Sequence, residues 1–173
     1  PLVGRGVKNR DLFTLSGAVS VASTVTTVHT TATQTNLATF TFFPNEWHVG
    51  MLVRITALGT YSTANATDLV TIRVGLGTAP TTEINSMVNT AATVTNQPWN
   101  LVWCGIIGTL GSSGTIEAQM TGGINNVRKD DANTATSTIN TTTSQVLALT
   151  AAWSNALAGN TISIRQYILE ILN

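Results

Sequence analysis

In the stretch Asp68–Leu76, DLVTIRVGL, apolar and polar residues trade places at almost every step. Val70, Ile72, Val74 and Leu76 share one parity, with Thr71 and Arg73 on the other. A period of two belongs to a pleated strand with one face in a core and one in water, not to a helix. The alternation returns in Leu37–Phe43, where Phe40 and Phe42 oppose Thr39 and Thr41. It returns again in Met51–Leu58 and Thr115–Thr121, where Ile116, Ala118 and Met120 oppose Glu117 and Gln119. A weaker version, valines among Ser, Thr and Ala, covers Ser16–Thr33 and reads as a strand or strand pair. Trp99–Ile107, WNLVWCGII, is apolar on both parities, which fits a strand covered on both sides or set at a subunit contact.

Between these runs the chain is polar. Gly59–Thr67 and Thr121–Thr143 read as loops, the second an exposed tip carrying Arg128, Lys129, Asp130 and Asp131. The pair Gly75 and Gly77 marks a strand end, since no phosphate-binding fingerprint is complete around it. Ala79–Thr95 is the one place for a short helix: Thr81 or Thr82 would cap it and Ile84, Met87 and Val88 would share a face. About eight strands with at most one helix indicate an all-β fold, an antiparallel β-sandwich. The long connections around 77–98 and 121–144 favour a jelly roll over an up-and-down barrel. Residues 1–15 are expected to be an extended N-terminal arm, and 16–173 a single jelly-roll domain.

The chain closes on Ser144–Asn173, where two apolar runs flank the polar loop Ser154–Asn160. A closing β-hairpin is expected, its last strand inside a sheet. That strand changes parity: Ile162 and Ile164 share one, Tyr167, Leu169 and Ile171 the other. Either a β-bulge near Arg165 and Gln166 switches the inward face, or both faces are covered and one meets another subunit.

Charge is scarce. Charged residues make up 9% of the chain, against roughly 25% in ordinary soluble domains. Eight basic and eight acidic residues cancel, which argues against a nucleic-acid surface and favours association. Threonine, 32 residues of it, supplies the polar faces instead. The single cysteine, Cys104, excludes an internal disulfide and reads as a buried, inert thiol. No apolar stretch reaches the roughly 18 residues of a membrane helix, and no signal-peptide pattern opens the chain. Glu46, Trp47 and His48 stand together, but no nucleophile accompanies them and Trp47 is expected to pack over the sandwich end. His29 has no second ligand nearby. No catalytic, cofactor or metal site is expected, nor a nucleic-acid or membrane partner.

The closing run AWSNALAGNTISIRQYILEILN resembles the last hairpin of small structural proteins in tailed-bacteriophage particles. The stretches TATQTNLATFTFFPNEWHVGMLVRITALG and DLVTIRVGLG are similar in character to the same class. The resemblance implies a jelly-roll capsid decoration, or cement, protein. Such a protein would be made in the host cytoplasm, sit on the virion surface as a homotrimer, and bridge subunits of the major capsid protein. It would use the arm (Arg5, Lys8, Arg10 and Phe13) to clasp a capsid subunit. Trp99, Trp103, Tyr167, Leu169 and Ile171 would supply area between subunits. A tail or receptor-binding module reading a host glycan through loops 59–67 and 121–143 remains an open alternative, as does a small-virus coat protein.

Overall fold

The computed structural model describes residues 17–22, 26–29, 31–79, 81–132 and 136–172. Twelve strands lie within them: β1 (Gly17–Ala22), β2 (Thr26–His29), β3 (Thr35–Phe42), β4 (Leu52–Ser62), β5 (Val70–Leu76) and β6 (Thr82–Val88), then β7 (Gln97–Thr109), β8 (Gly114–Ile124), β9 (Val127–Ala132), β10 (Ser137–Ile139), β11 (Gln145–Trp153) and β12 (Thr161–Leu172). One sheet runs β1-β12-β4-β7-β8-β10, with β2 also on β12 and β9 also on β8. The second runs β3-β11-β5-β6, and every pairing is antiparallel.

The pairings are nested. β1 and β2 together take the first position and pair the last strand, β12; β3 pairs the next to last, β11; β4 pairs β7; β5 pairs β6. Eight positions folded back on themselves in this way are a jelly roll. The strands β8, β9 and β10 are inserted between the sixth and seventh positions and widen the first sheet.

Alternation places the core. On β4 the inward residues Val53, Ile55, Ala57 and Tyr61 are buried, and on β5 so are Val70, Ile72, Val74 and Leu76. From the facing sheet Phe40 meets Tyr167 edge to face at 5.4 Å, and Phe42 stacks on Trp47 at 4.2 Å. Trp47 does pack over the sandwich end. Beside it the Glu46 carboxylate accepts the Phe43 N–H at 2.7 Å, a turn-closing role.

Four expectations about the strands and loops fail. The segment 79–95 holds strand β6, not a helix. Its register against β5 slips between Val74 and Gly75, which pair Asn85 and Glu83 and leave Ile84 as an extra residue. That bulge turns both Ile84 and Met87 inward, so a spacing of three arises in a strand. The loop expected over Gly59–Thr67 begins only after Ser62, because β4 continues and buries Tyr61. The tip expected over 121–143 is largely sheet: β8 and β9 form a hairpin turned by Asn125 and Asn126, at φ 53° and 60°. Two successive residues at positive φ make the turn whose twist suits a two-residue hairpin, and asparagine tolerates that region. The charges Arg128 to Asp131 therefore lie on a partly exposed strand, where charge guards against stray pairing.

The fourth failure is the closing hairpin. β11 and β12 lie in different sheets, so residues 154–160 cross the top of the sandwich. β12 does run inside its sheet, between β1 and β2 on one side and β4 on the other. Its register against β4 shifts between Ile164 and Gln166. The bulge at Arg165 switches the inward parity, so Ile162, Ile164 and Leu169 are all buried in the same core.

A polar clamp closes one side. Asn85, fully buried on β6, accepts the indole N–H of Trp103 at 2.8 Å and donates to the Asp131 carboxylate on β9 at 3.2 Å. That same carboxylate oxygen accepts the Ser86 N–H at 2.8 Å. The second sheet's edge is thus fastened to β7 and β9 of the first by groups that satisfy each other.

Candidate functional site

The sequence-predicted contact residues divide. Arg5, Lys8, Arg10 and Phe13 lie outside the described residues. Trp99 and Trp103, expected between subunits, are 1% and 0% exposed inside the chain's own core. They offer no area to a second chain. Trp99 donates to the Ser163 carbonyl at 3.1 Å, which ties β7 to β12 across β4. Leu169 is also buried, and Tyr167 and Ile171, half-buried, pack against the same core. The double-parity apolarity of β7 resolves into an inward row (Trp99, Leu101, Trp103 and Ile107) and an outward row of Val102, Cys104 and Ile106.

The surface feature that sequence reasoning missed lies at one end of the sandwich. Phe43, Val49 and Leu110 are 60%, 61% and 47% exposed, and Ile106 on the adjoining strand end is 43% exposed. They sit in loops bonded to one another. The Gly50 N–H donates to the Ile107 carbonyl at 2.8 Å, and the Thr141 N–H to the Gly111 carbonyl at 3.0 Å. Thr141 also accepts the Gly111 N–H on its hydroxyl at 2.8 Å, which fixes the turn beside Leu110. The Glu46 contact fixes Phe43 in the same way. Large apolar side chains are thus held in water on a braced frame. Isolated exposed apolar residues are ordinary, but several at one end make that end the candidate contact surface. No periodicity announces it, because Phe43 and Val49 stand at the two ends of the loop between β3 and β4, Leu110 follows β7, and Ile106 lies near the end of that strand.

The strand Gly17–Ala22 starts at this end, with Gly17 paired to Ile171. From there an outward sheet face continues the apolar character. Leu52 pairs Ile106 on one side and Leu172 on the other. In the next outward row Arg54 bonds Glu170 at 2.7 Å, between Glu170 and Cys104 in the register. Burial pushes the Cys104 thiol up; Arg54 pulls it down and Glu170 raises it further. Its thiolate therefore forms only above the ordinary range near pH 8.5. Alkylation of the folded protein is expected to be slower than that of a free thiol at pH 8. It should still be climbing where the free thiol's rate has levelled off, as a pH series with iodoacetamide would show.

No family model matches the chain, and no curated protein does. Among solved structures, the CBM2 module of the evolved Dit of Lactobacillus casei BL23 phage J-1 aligns over 78% of this chain and 69% of its own. The identity is 12% and the TM-score 0.34. The structure of infectious bursal disease virus, Gx strain, aligns over 90% of this chain at 12% identity and a TM-score of 0.22. This chain spans 43% of that one. Likeness at this level decides neither fold nor function.

Proposed function

We propose that this chain is a structural protein of a tailed-phage particle. It binds the outer surface of the capsid, bridges major capsid protein subunits, and acts as a homotrimer. The observation that carries the reading is the braced apolar end, with Phe43, Val49 and Leu110 at 47% exposure or more. Together with a charge-poor composition, it gives the protein a surface suited to contact. The jelly roll and the resemblance of the closing strands to small virion proteins support the same reading. Fold alone would not, since jelly rolls host many roles. The segment bearing Arg5, Lys8 and Arg10 precedes Gly17, which lies at this same end, so arm and apolar loops would engage one partner together.

Replacing Phe43, Val49 and Leu110 together by serine tests this. Each half-exposed side chain would contribute about 1 kcal/mol on burial, so the triple change is expected to weaken attachment to purified shells roughly a hundredfold. The melting temperature should hardly move, because these side chains face water. Co-sedimentation with shells is the measurement, with sedimentation velocity reporting the trimer. Attachment unchanged in the triple variant, or a monomer that ignores shells, would overturn the proposal.

A further inference from the structure

The far end of the sandwich holds a buried carboxyl group with an unpartnered oxygen. Asp68, between β4 and β5, is fully buried. Its Oδ1 accepts one hydrogen bond, from the Asn155 side-chain amide at 2.9 Å. Its Oδ2 is buried and has no hydrogen-bond partner. Among the described residues, the three salt bridges join Arg54 to Glu170, Arg73 to Glu83 and Arg128 to Asp130, so none reaches Asp68. An ionised carboxylate in a protein interior is costly unless an opposite charge or a full set of donors compensates it. One neutral amide does not.

The turn that carries Asp68 and the turn that carries its partner Asn155 are fastened to each other. The Leu69 N–H donates to Ser154 Oγ at 2.9 Å and the Ser154 N–H to the Leu69 carbonyl at 2.8 Å. Asn160, fully buried, accepts the Ala64 N–H at 2.6 Å and donates to the Asn155 carbonyl at 3.0 Å. Asn89 braces the third side, accepting the Val70 N–H at 2.8 Å and donating to the Asp68 carbonyl at 3.4 Å. Amide side chains and turn carbonyls are the donors that hard cations take alongside a carboxylate.

We propose that Asp68 anchors a hard divalent cation of the calcium type, held with neutral oxygens of the turns 63–69 and 154–160. The cation supplies the missing charge and pins the crossing between β11 and β12 to the crossing between β4 and β5. A single carboxylate places the affinity at the weak end of protein calcium sites, about 0.1–1 mM. The proposal is independent of any role in a virus particle.

Calcium chloride at about 10 mM is expected to raise the melting temperature of the full chain by about 3–6 °C, reversed by EDTA. Asp68→Asn, which keeps shape and removes the charge, should abolish that rise. An equal rise in both proteins, or none in the wild type, would overturn the proposal. Should the variant not fold, terbium decides on the wild type. Trp153 immediately precedes Ser154, so excitation of tryptophan should sensitise bound terbium, and calcium should quench the emission in the millimolar range. Absence of sensitised emission would mean that the carboxylate is only hydrated, and the cation site would be discarded.

Discussion

Gly59→Ala is expected to lower the melting temperature by about 10–15 °C, a loss of roughly 3–5 kcal/mol. Gly59 lies in the middle of β4, paired with Trp99 on one side and Ile164 on the other. A methyl group there would run into the Ser163 carbonyl and lie 2.7 Å from the indole nitrogen of Trp99. Those two groups are hydrogen-bonded to each other directly over the glycine. The added carbon therefore displaces a backbone segment and leaves a buried indole N–H without an acceptor, two penalties at once. Neither neighbour is the free end of a flexible side chain. Gly123→Ala is the control: its new carbon would meet only the Asn100 side chain at 3.2 Å and the Val127 carbonyl at 3.7 Å. It should change stability by less than about 1 kcal/mol. Thermal unfolding of the two variants side by side checks the contrast, and equal shifts would refute the packing argument.

Asn85→Ala should cost about 2–4 kcal/mol, because it removes the centre of the polar clamp while leaving its partners buried. The Trp103 indole loses its acceptor, and the Asp131 carboxylate loses one of its donors. Removing both ends of the Asn85–Trp103 bond should hurt less than the sum of the single changes. In a double-mutant cycle with Trp103→Phe, a coupling of about 1 kcal/mol or more is expected. Additive effects would mean that the clamp contributes only packing. The cycle needs reversible denaturant curves with an unchanged slope, so that each difference reports stability.

Strands with an uninterrupted period of two are legible in the amino-acid sequence alone. β3, β5 and most of β4 and β8 follow from the parity of Phe40 and Phe42, Val70 to Leu76, Val53 to Ala57, and Ile116 to Met120. The parity change in β12 is legible as well, and the bulge at Arg165 accounts for it without a second buried face. What escapes are places where a local defect imitates another pattern. The extra residue Ile84 gives β6 a helical spacing, and the charges of β9 resemble a solvated loop. The asparagine pair 125–126 is the signal for that hairpin, and it stands directly between Ile124 and Val127. Cross-sheet pairing is harder still. Seven residues between β11 and β12 could turn back or cross over, and only the packing of Leu147, Leu149 and Trp153 against the opposite sheet decides. The apolar end is illegible because Phe43 and Val49 are six residues apart in one loop and Leu110 stands in another far along the chain, and each alone is an ordinary surface residue.

The antiparallel register of β1 on β12, Gly17 against Ile171, has a mechanical consequence. Tension applied between Gly17 and Leu172 pulls at two neighbouring strands from the same end. Their hydrogen bonds would then be loaded one row at a time, as in a zipper, and not all together in shear. The fold is weakest along that line of force. Push or pull delivered through the loops of the apolar end would spread over β3, β4, β7 and β8 together, and the sandwich would bear it as a block.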